Sequence, residues 1–237
     1  MKIIYKILSW LISIILPAFI VLSVVKVIIN PWYPQFEYHT PGFPTDSYGF
    51  TQQERLKYAQ LTIEYIINSA DISFLSNLRF PPGQQTPAPS CQFMTDCTHL
   101  YNDRELEHML DVKRVYRSAM LVWEGSIAVL IILAIWAWRA KWLDVYLKSL
   151  VRGGLLTLVL LGLVVLSILT LFNYFFVIFH ELFFKSGTWT FLYSDTLIRL
   201  YPERFFQDIF LIGGVLSLIL ALIFFFGGRA ILRKFTR

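Results

Sequence analysis

Charge is scarce in this chain. Only 16% of its 237 residues are Asp, Glu, Lys or Arg, whereas a soluble domain carries about a quarter. Cysteine is scarcer still: two residues cannot supply a disulfide scaffold or a four-cysteine zinc site. No Gly-x-Ser-x-Gly elbow, His-Glu-x-x-His pair, phosphate-binding glycine loop or dinucleotide fingerprint occurs. His180-Glu181 lacks the second histidine of a zinc pair, because position 184 is Phe. These gaps weigh against a serine-type hydrolase, a typical metalloprotease and a nucleotide-dependent enzyme.

What the chain has is apolar length. Hydrophobic residues make up 56% and aromatics 17%, and they fall in four long runs at 7–29, 119–138, 155–179 and 209–226. A helix needs about 20 such residues to cross a bilayer core. The only charges inside these runs are Lys26 and Glu124; each needs a partner or water at that depth, and each is a candidate partner for the other. The expected fold class is an all-α, polytopic membrane protein with four transmembrane helices and a partly helical outer cap. By segment, 1–29 holds the N-terminus and first span, 30–118 a long loop, 119–138 the second span and 139–154 a short loop. The third span at 155–179, a loop at 180–208, the fourth span at 209–226 and a tail at 227–237 complete the reading. The first apolar run exceeds a signal peptide's 7–15 residues and has no small-x-small site after it, so it reads as a retained anchor.

The net charge of +5 is a matter of sidedness. Lys2 and Lys6 precede the first span. Arg139, Lys141, Lys148 and Arg152 face a single Asp144 between the second and third. Arg229, Arg233, Lys234 and Arg237 follow the fourth with no acid among them. Acids outnumber bases in 30–118, and in 180–208 four acids stand against three bases. The positive-inside rule puts both termini and 139–154 in the cytoplasm and the other loops outside. Nucleic acid is therefore excluded as a partner.

The outer segments carry local signals. Asn30-Pro31-Trp32-Tyr33-Pro34 suits an interfacial belt, and the Pro- and aromatic-rich stretch to Gly49 reads as extended. Thr51 and Glu54 form a capping box, followed by Leu56, Ala59, Ile63, Ile66 and Ile67 on one helical face. Pro81–Pro89 is a linker. Cys91 and Cys97 follow it, and an oxidising outer compartment permits a disulfide between them. A metal site with His99 would need a fourth ligand; no metal or cofactor is expected. Asn102 and Glu105 cap a second helix, which places Glu105 and Asp111 at i−3 and i+3 from His108. A carboxylate on one ring nitrogen fixes the tautomer and raises the basicity of the other. His180, beside Glu181, lies at the outer end of the third span, at the depth of headgroups and acyl esters; the plain alternative is an interfacial histidine bonded to a loop. Trp189 and Tyr201 suit the interface, and Arg199 and Arg204 suit a phosphate or headgroup. His39 and His99 are assigned surface roles.

Taken in order, Tyr48-Gly49-Phe50-Thr51-x-x-Glu54-Arg55, His108-Met109-x-Asp111-Val112-Lys113, Phe179-His180-x-x-Phe183-Phe184 and Leu200-Tyr201-Pro202-Glu203-x-Phe205-Phe206 resemble the bacterial lipoprotein intramolecular transacylase family. The resemblance implies transfer of the sn-2 acyl chain of a lipoprotein's diacylglyceryl-cysteine to that cysteine's own α-amino group. It maps the family's two functional histidines onto His108 and His180. Implied partners are diacylglyceryl-modified lipoproteins and membrane lipids, in the bacterial cytoplasmic membrane with the site on its outer face. Such chemistry needs oriented reactants, proton transfer and oxyanion stabilisation, and no enzyme nucleophile. The sequence-level hypothesis makes His108, oriented by Asp111 or Glu105, the base and His180 the acid or oxyanion group. A lipid hydrolase or transacylase with another acceptor, and a non-catalytic lipid-binding protein, are the competing readings. Four spans without an internal repeat argue against a transporter.

Overall fold

The structure, a computed structural model, describes residues 2–235; Arg237 of the basic tail lies outside them. The described residues are nearly all helical, and an isolated antiparallel bridge between Arg79 and His99 is the one β feature among them. Four helices are long and apolar enough to cross a membrane: Ile3–Ile28, Asp103–Arg139, Leu143–Phe183 and Glu203–Lys234. The chain forms two compact units. One comprises the residues up to Val27, Ser118–Leu171 and the chain from Phe210 on; the other comprises Ile28–Arg117 and Phe172–Ile209.

In the first unit, helix α1 (Lys2–Ile28) buries Ile12, Leu16 and Ile20 against Leu130, Leu133, Ala137, Trp142, Tyr146, Leu147 and Ala221. Lipid tails are as apolar as these side chains, so close backbone approach and hydrogen bonds must supply the specificity. Both are present. A Cβ on Gly153 would stand 2.8 Å from Leu16 Cβ, and one on Gly154 would stand 3.0 Å from the Ala221 carbonyl oxygen. Glycine at these positions is what lets the helices meet. Beside them the Ser9 and Ser149 hydroxyls share a hydrogen bond of 2.6 Å, Ser13 donates to the Ser149 carbonyl at 3.1 Å, and Arg152 donates to Ser9. Lys26 does not pair with Glu124. Its ammonium sits 3.9 Å from the centre of the Trp123 ring, whose indole N–H donates to Ser23. Such a cation–π contact asks for no ionised partner.

The second unit departs from expectation at its start. Trp32–Glu37 (α2) is helical and not extended. Pro31 sits at its N-cap and Pro34 within its first turn, where a missing N–H costs nothing. Helix α3 (Gln52–Ile67) opens on the Thr51–Glu54 capping box. It buries Ala59, Ile63 and Ile66, together with Arg55, Tyr58, Thr62 and Tyr65. Short helices α4 (Ser73–Ser76) and α5 (Ala88–Cys91) lead to α6 (Asp103–Arg139). Cys91 and Cys97 are disulfide-bonded, with 5.3 Å between their Cα atoms.

Buried tyrosines tie the loops together because a buried phenol usually finds a hydrogen-bond partner, Tyr65 being an exception. Tyr38 donates to the Leu200 carbonyl, Tyr58 to that of Arg79 and Tyr201 to that of Ala59, while Tyr101 bonds Thr62. Arg199 makes two bonds of 3.0 Å to Asp46 and lies 3.8 Å from the Phe50 ring centre. Burial pushes the Asp46 carboxyl up, but the Arg199 hydrogen bond and the Phe50 and Tyr48 amides outweigh it and hold the group below its ordinary value.

Candidate active site

Both candidate histidines belong to the second unit. His108 projects from the second turn of α6. Its helix begins where it does because Asn102 Oδ1 accepts the Glu105 N–H at 3.0 Å and Glu105 returns the bond to the Asn102 N–H at 2.9 Å. His180 ends the last turns of α7 (Leu143–Phe183), beyond a break in helical geometry at Leu171 (φ −139°, ψ 41°). The Ser167 and Thr170 hydroxyls donate to carbonyls one turn back just before that break, a pattern that bends helices.

The two imidazoles, 72 positions apart in sequence, face each other with ring centres 6.4 Å apart and planes 18° from parallel. Aromatic rings wall the gap. Phe184 lies 4.9 Å from His108 and 5.6 Å from His180, and Phe191 lies 5.3 Å from His108. Phe176 and Trp189 lie 4.0 and 4.8 Å from His180. Both histidines are buried, at 9% and 7% exposure, and polar atoms in such desolvated surroundings interact strongly with a partner.

The hydrogen bonds set the tautomer of one ring. His180 Nδ1 lies 2.8 Å from the Phe176 carbonyl oxygen. A carbonyl only accepts, so Nδ1 carries the hydrogen and a neutral ring presents its lone pair at Nε2. His108 Nδ1 is buried without a hydrogen-bond partner, as is the Trp189 indole nitrogen.

The residues read as supports and ligands fall elsewhere. Glu105 accepts from the Asn102 and Leu197 amides, the latter at 2.7 Å, and Asp111 pairs with Arg114 at 2.9 Å. Neither is hydrogen-bonded to His108. Glu181 is exposed and makes no ion pair with either histidine among the described residues. Arg199 is buried on Asp46, Arg204 pairs with Asp208 at 3.2 Å, and the Tyr201 hydroxyl is spent on a carbonyl. Trp189 alone of that group joins the chamber. His39 bonds the Gln35 carbonyl and His99 lies 3.1 Å from Asp96. Among the described residues no group of three His, Cys, Asp or Glu is placed to hold a metal.

Asp195 escaped the sequence reading. It is fully buried and accepts from Asn102 Nδ2 at 3.1 Å, Arg104 at 3.3 Å and the Leu192 amide at 2.8 Å. It thus fastens the segment carrying Trp189 and Phe191 to the start of α6. The available signal was Ser194-Asp195-Thr196 directly before Leu197, which is helix-cap composition; α8 (Thr196–Leu200) does begin there.

Comparison with known proteins places this arrangement. A protein of Aquifex aeolicus (strain VF5) described only as uncharacterized is 29% identical over 225 residues, covering 94% of each chain. The in meso structure of the membrane integral lipoprotein intramolecular transacylase Lit from Bacillus cereus superposes with a TM-score of 0.77 at 20% identity, covering 99% of this chain and 98% of that one. A variant of the same Bacillus cereus protein with one histidine replaced by arginine superposes with a TM-score of 0.71 at 20% identity, over 98% of this chain and 94% of that one. At these identities the structures establish a shared fold. The model of the family lipoprotein intramolecular transacylase Lit matches residues 9–206, and on that match this four-helix membrane protein belongs to the Lit family of lipoprotein intramolecular transacylases.

Proposed function

We propose that this protein moves the sn-2 acyl chain of a diacylglyceryl-modified lipoprotein cysteine onto the α-amino group of the same cysteine. The reaction runs at the outer face of the bacterial cytoplasmic membrane, with both termini inside. The observation that carries this reading is the pair of facing imidazoles, one with its tautomer set by the Phe176 carbonyl, in an aromatic chamber. Family membership supplies the substrate class, and the charge asymmetry of the loops supports the orientation.

The steps follow from the groups present. His180 Nε2 takes a proton from the α-amino group as that nitrogen attacks the ester carbonyl carbon. The C–N bond forms and a tetrahedral oxyanion results. When this collapses, the bond to the glycerol sn-2 oxygen breaks and that oxygen receives the proton. One N–H is lost, one O–H is gained, and no water or cofactor is consumed. Nucleophile and ester share one molecule, so orientation supplies much of the rate. The base is assigned to His180 and not His108 because Glu105 and Asp111, which would have oriented His108, are committed to other partners. His180 returns the proton from Nε2 to the leaving glycerol oxygen, and the His108 ring across the gap donates a hydrogen bond to that oxygen as it leaves.

The test is mass spectrometry of the N-terminal lipopeptide of a model lipoprotein, co-expressed in a host lacking other N-acylation activity. The intact protein is expected to yield the lyso-form N-acyl cysteine. His180→Gln and His108→Gln are each expected to lower the rate by about 100-fold or more, the scale of lost general acid–base catalysis. Released fatty acid without N-acylation would make it a hydrolase. Full N-acylation by either variant would remove that histidine from the mechanism.

A further inference from the structure

The chamber contains a donor that the proton-transfer scheme does not use. The Trp189 indole nitrogen is buried and has no hydrogen-bond partner. An indole nitrogen only donates and does not titrate in the working range, so it serves neither as acid nor as base. Stranded donors of this kind are rare inside proteins, and one beside reacting groups calls for an acceptor that arrives with the substrate.

Its position is specific. The Trp189 ring packs at a tilt against His180 at 4.8 Å with planes 36° apart, and Phe176 meets it edge-on at 6.5 Å. The turn that carries it is held by two bonds to the Lys185 carbonyl, one from the Thr188 amide at 3.2 Å and one from its hydroxyl at 2.8 Å. Other polar side chains of this unit are bonded elsewhere, although Arg199 Nη1 is also a buried donor without a partner. Arg199 is bonded to Asp46, the Tyr201 hydroxyl to the Ala59 carbonyl and Asn102 to Asp195. Among the described residues, Trp189 Nε1 and His108 Nδ1 are the buried side-chain atoms without partners that belong to rings forming this chamber. His108 is already assigned to the leaving oxygen.

We infer that the Trp189 indole N–H is the oxyanion donor: it hydrogen-bonds the ester carbonyl oxygen and holds it as negative charge develops in the tetrahedral intermediate. The inference rests on the acyl-transfer reading above and adds to it the group that stabilises charge. A preorganised donor in a water-poor site acts mainly on the transition state, so its loss lowers kcat more than it alters KM.

The test compares Trp189→Phe with replacement of Trp189 by 3-benzothienylalanine, which keeps the bicyclic shape and puts sulfur where the N–H was. N-acylation of a fixed diacylglyceryl lipopeptide by purified protein is measured as kcat and KM. Both replacements are expected to lower kcat by about 100-fold with KM little changed, the cost of losing one such donor. Wild-type kcat in the benzothienyl protein would overturn the proposal and leave Trp189 as a packing group, whatever the Phe variant does. A rise in KM at constant kcat would overturn it as well, reassigning Trp189 to ground-state binding. If the unaltered protein forms no N-acyl product, the acyl-transfer reading falls and this one falls with it. If it does form product and the isostere is fully active, only the indole assignment falls.

Discussion

Glu37 shows how a single group outside the chamber sets a response to pH. It is fully buried, receives a weak bond of 3.3 Å from the Tyr33 hydroxyl at one oxygen, and has no hydrogen donor at the other. Burial first, then the neighbouring Asp208 carboxylate, push its carboxyl from an ordinary 4.5 up to about 7, against the opposing effects of Tyr33 and Arg204. The folded protein therefore binds a proton more tightly than the unfolded chain between those two values. With more protons on the native state, stability falls as pH rises through that window. Unfolding temperature in detergent is expected to drop as pH is raised from about 4.5 to about 7. Glu37→Gln, which keeps the shape without the ionisation, is expected to flatten that part of the profile. An unchanged slope in the variant would assign the pH dependence to other groups.

The residue scale is also where sequence reading reached furthest into the site and then stopped. The family resemblance of their flanking motifs, and not local sequence alone, marks His108 and His180 as the candidate pair. The carboxylates next to them in sequence, however, are not their hydrogen-bond partners. Glu105 stands one helical turn from His108 yet gives both oxygens to backbone amides. Spacing along a helix says which side chains can touch, whereas a partner brought from a distant segment decides which do.

At the scale of elements, the junction of α6 with the 192–197 segment is the fastening on which the chamber depends. Glu105 closes the capping box of α6 and also accepts the Leu197 amide, and Asp195 reciprocates from the other side. Glu105→Leu strands two buried donors, and each costs about 1–3 kcal/mol. A loss of several kcal/mol and a clearly lower unfolding temperature are expected. Glu105→Gln, which keeps one acceptor oxygen, is expected to lose less. If Glu105→Leu unfolds at the wild-type temperature, this junction does not hold the unit together. The capping boxes at Thr51 and Asn102 were legible because both halves of each box lie within four residues. The helix at Trp32–Glu37 was not, because its prolines read as breakers when their place in the first turn is unknown.

At the scale of the whole molecule, four apolar helices and the distribution of basic residues decide how the chain lies in a membrane. The tail from Arg229 to Lys234 and the 139–154 segment are basic, whereas 30–118 carries more acid than base. Reporter fusions at the two termini are expected to read as cytoplasmic, and insertions near Gln84 as external. A terminus found outside would refute the orientation on which the proposed site location depends.

The sequence by itself determined the class of molecule, the four apolar helices and two helix starts. Each of these is written in composition or in contacts spanning a few residues, and bilayer thickness and helix geometry convert such patterns into structure directly. Only the tertiary structure decided what faces what. It brought His180 to 6.4 Å from His108, bonded Arg199 to Asp46, gave Lys26 to Trp123, and left the Trp189 Nε1 buried without a hydrogen-bond partner. Those outcomes depend on which of several chemically equivalent partners packing brings near, and a desolvated polar group takes the partner that packing supplies.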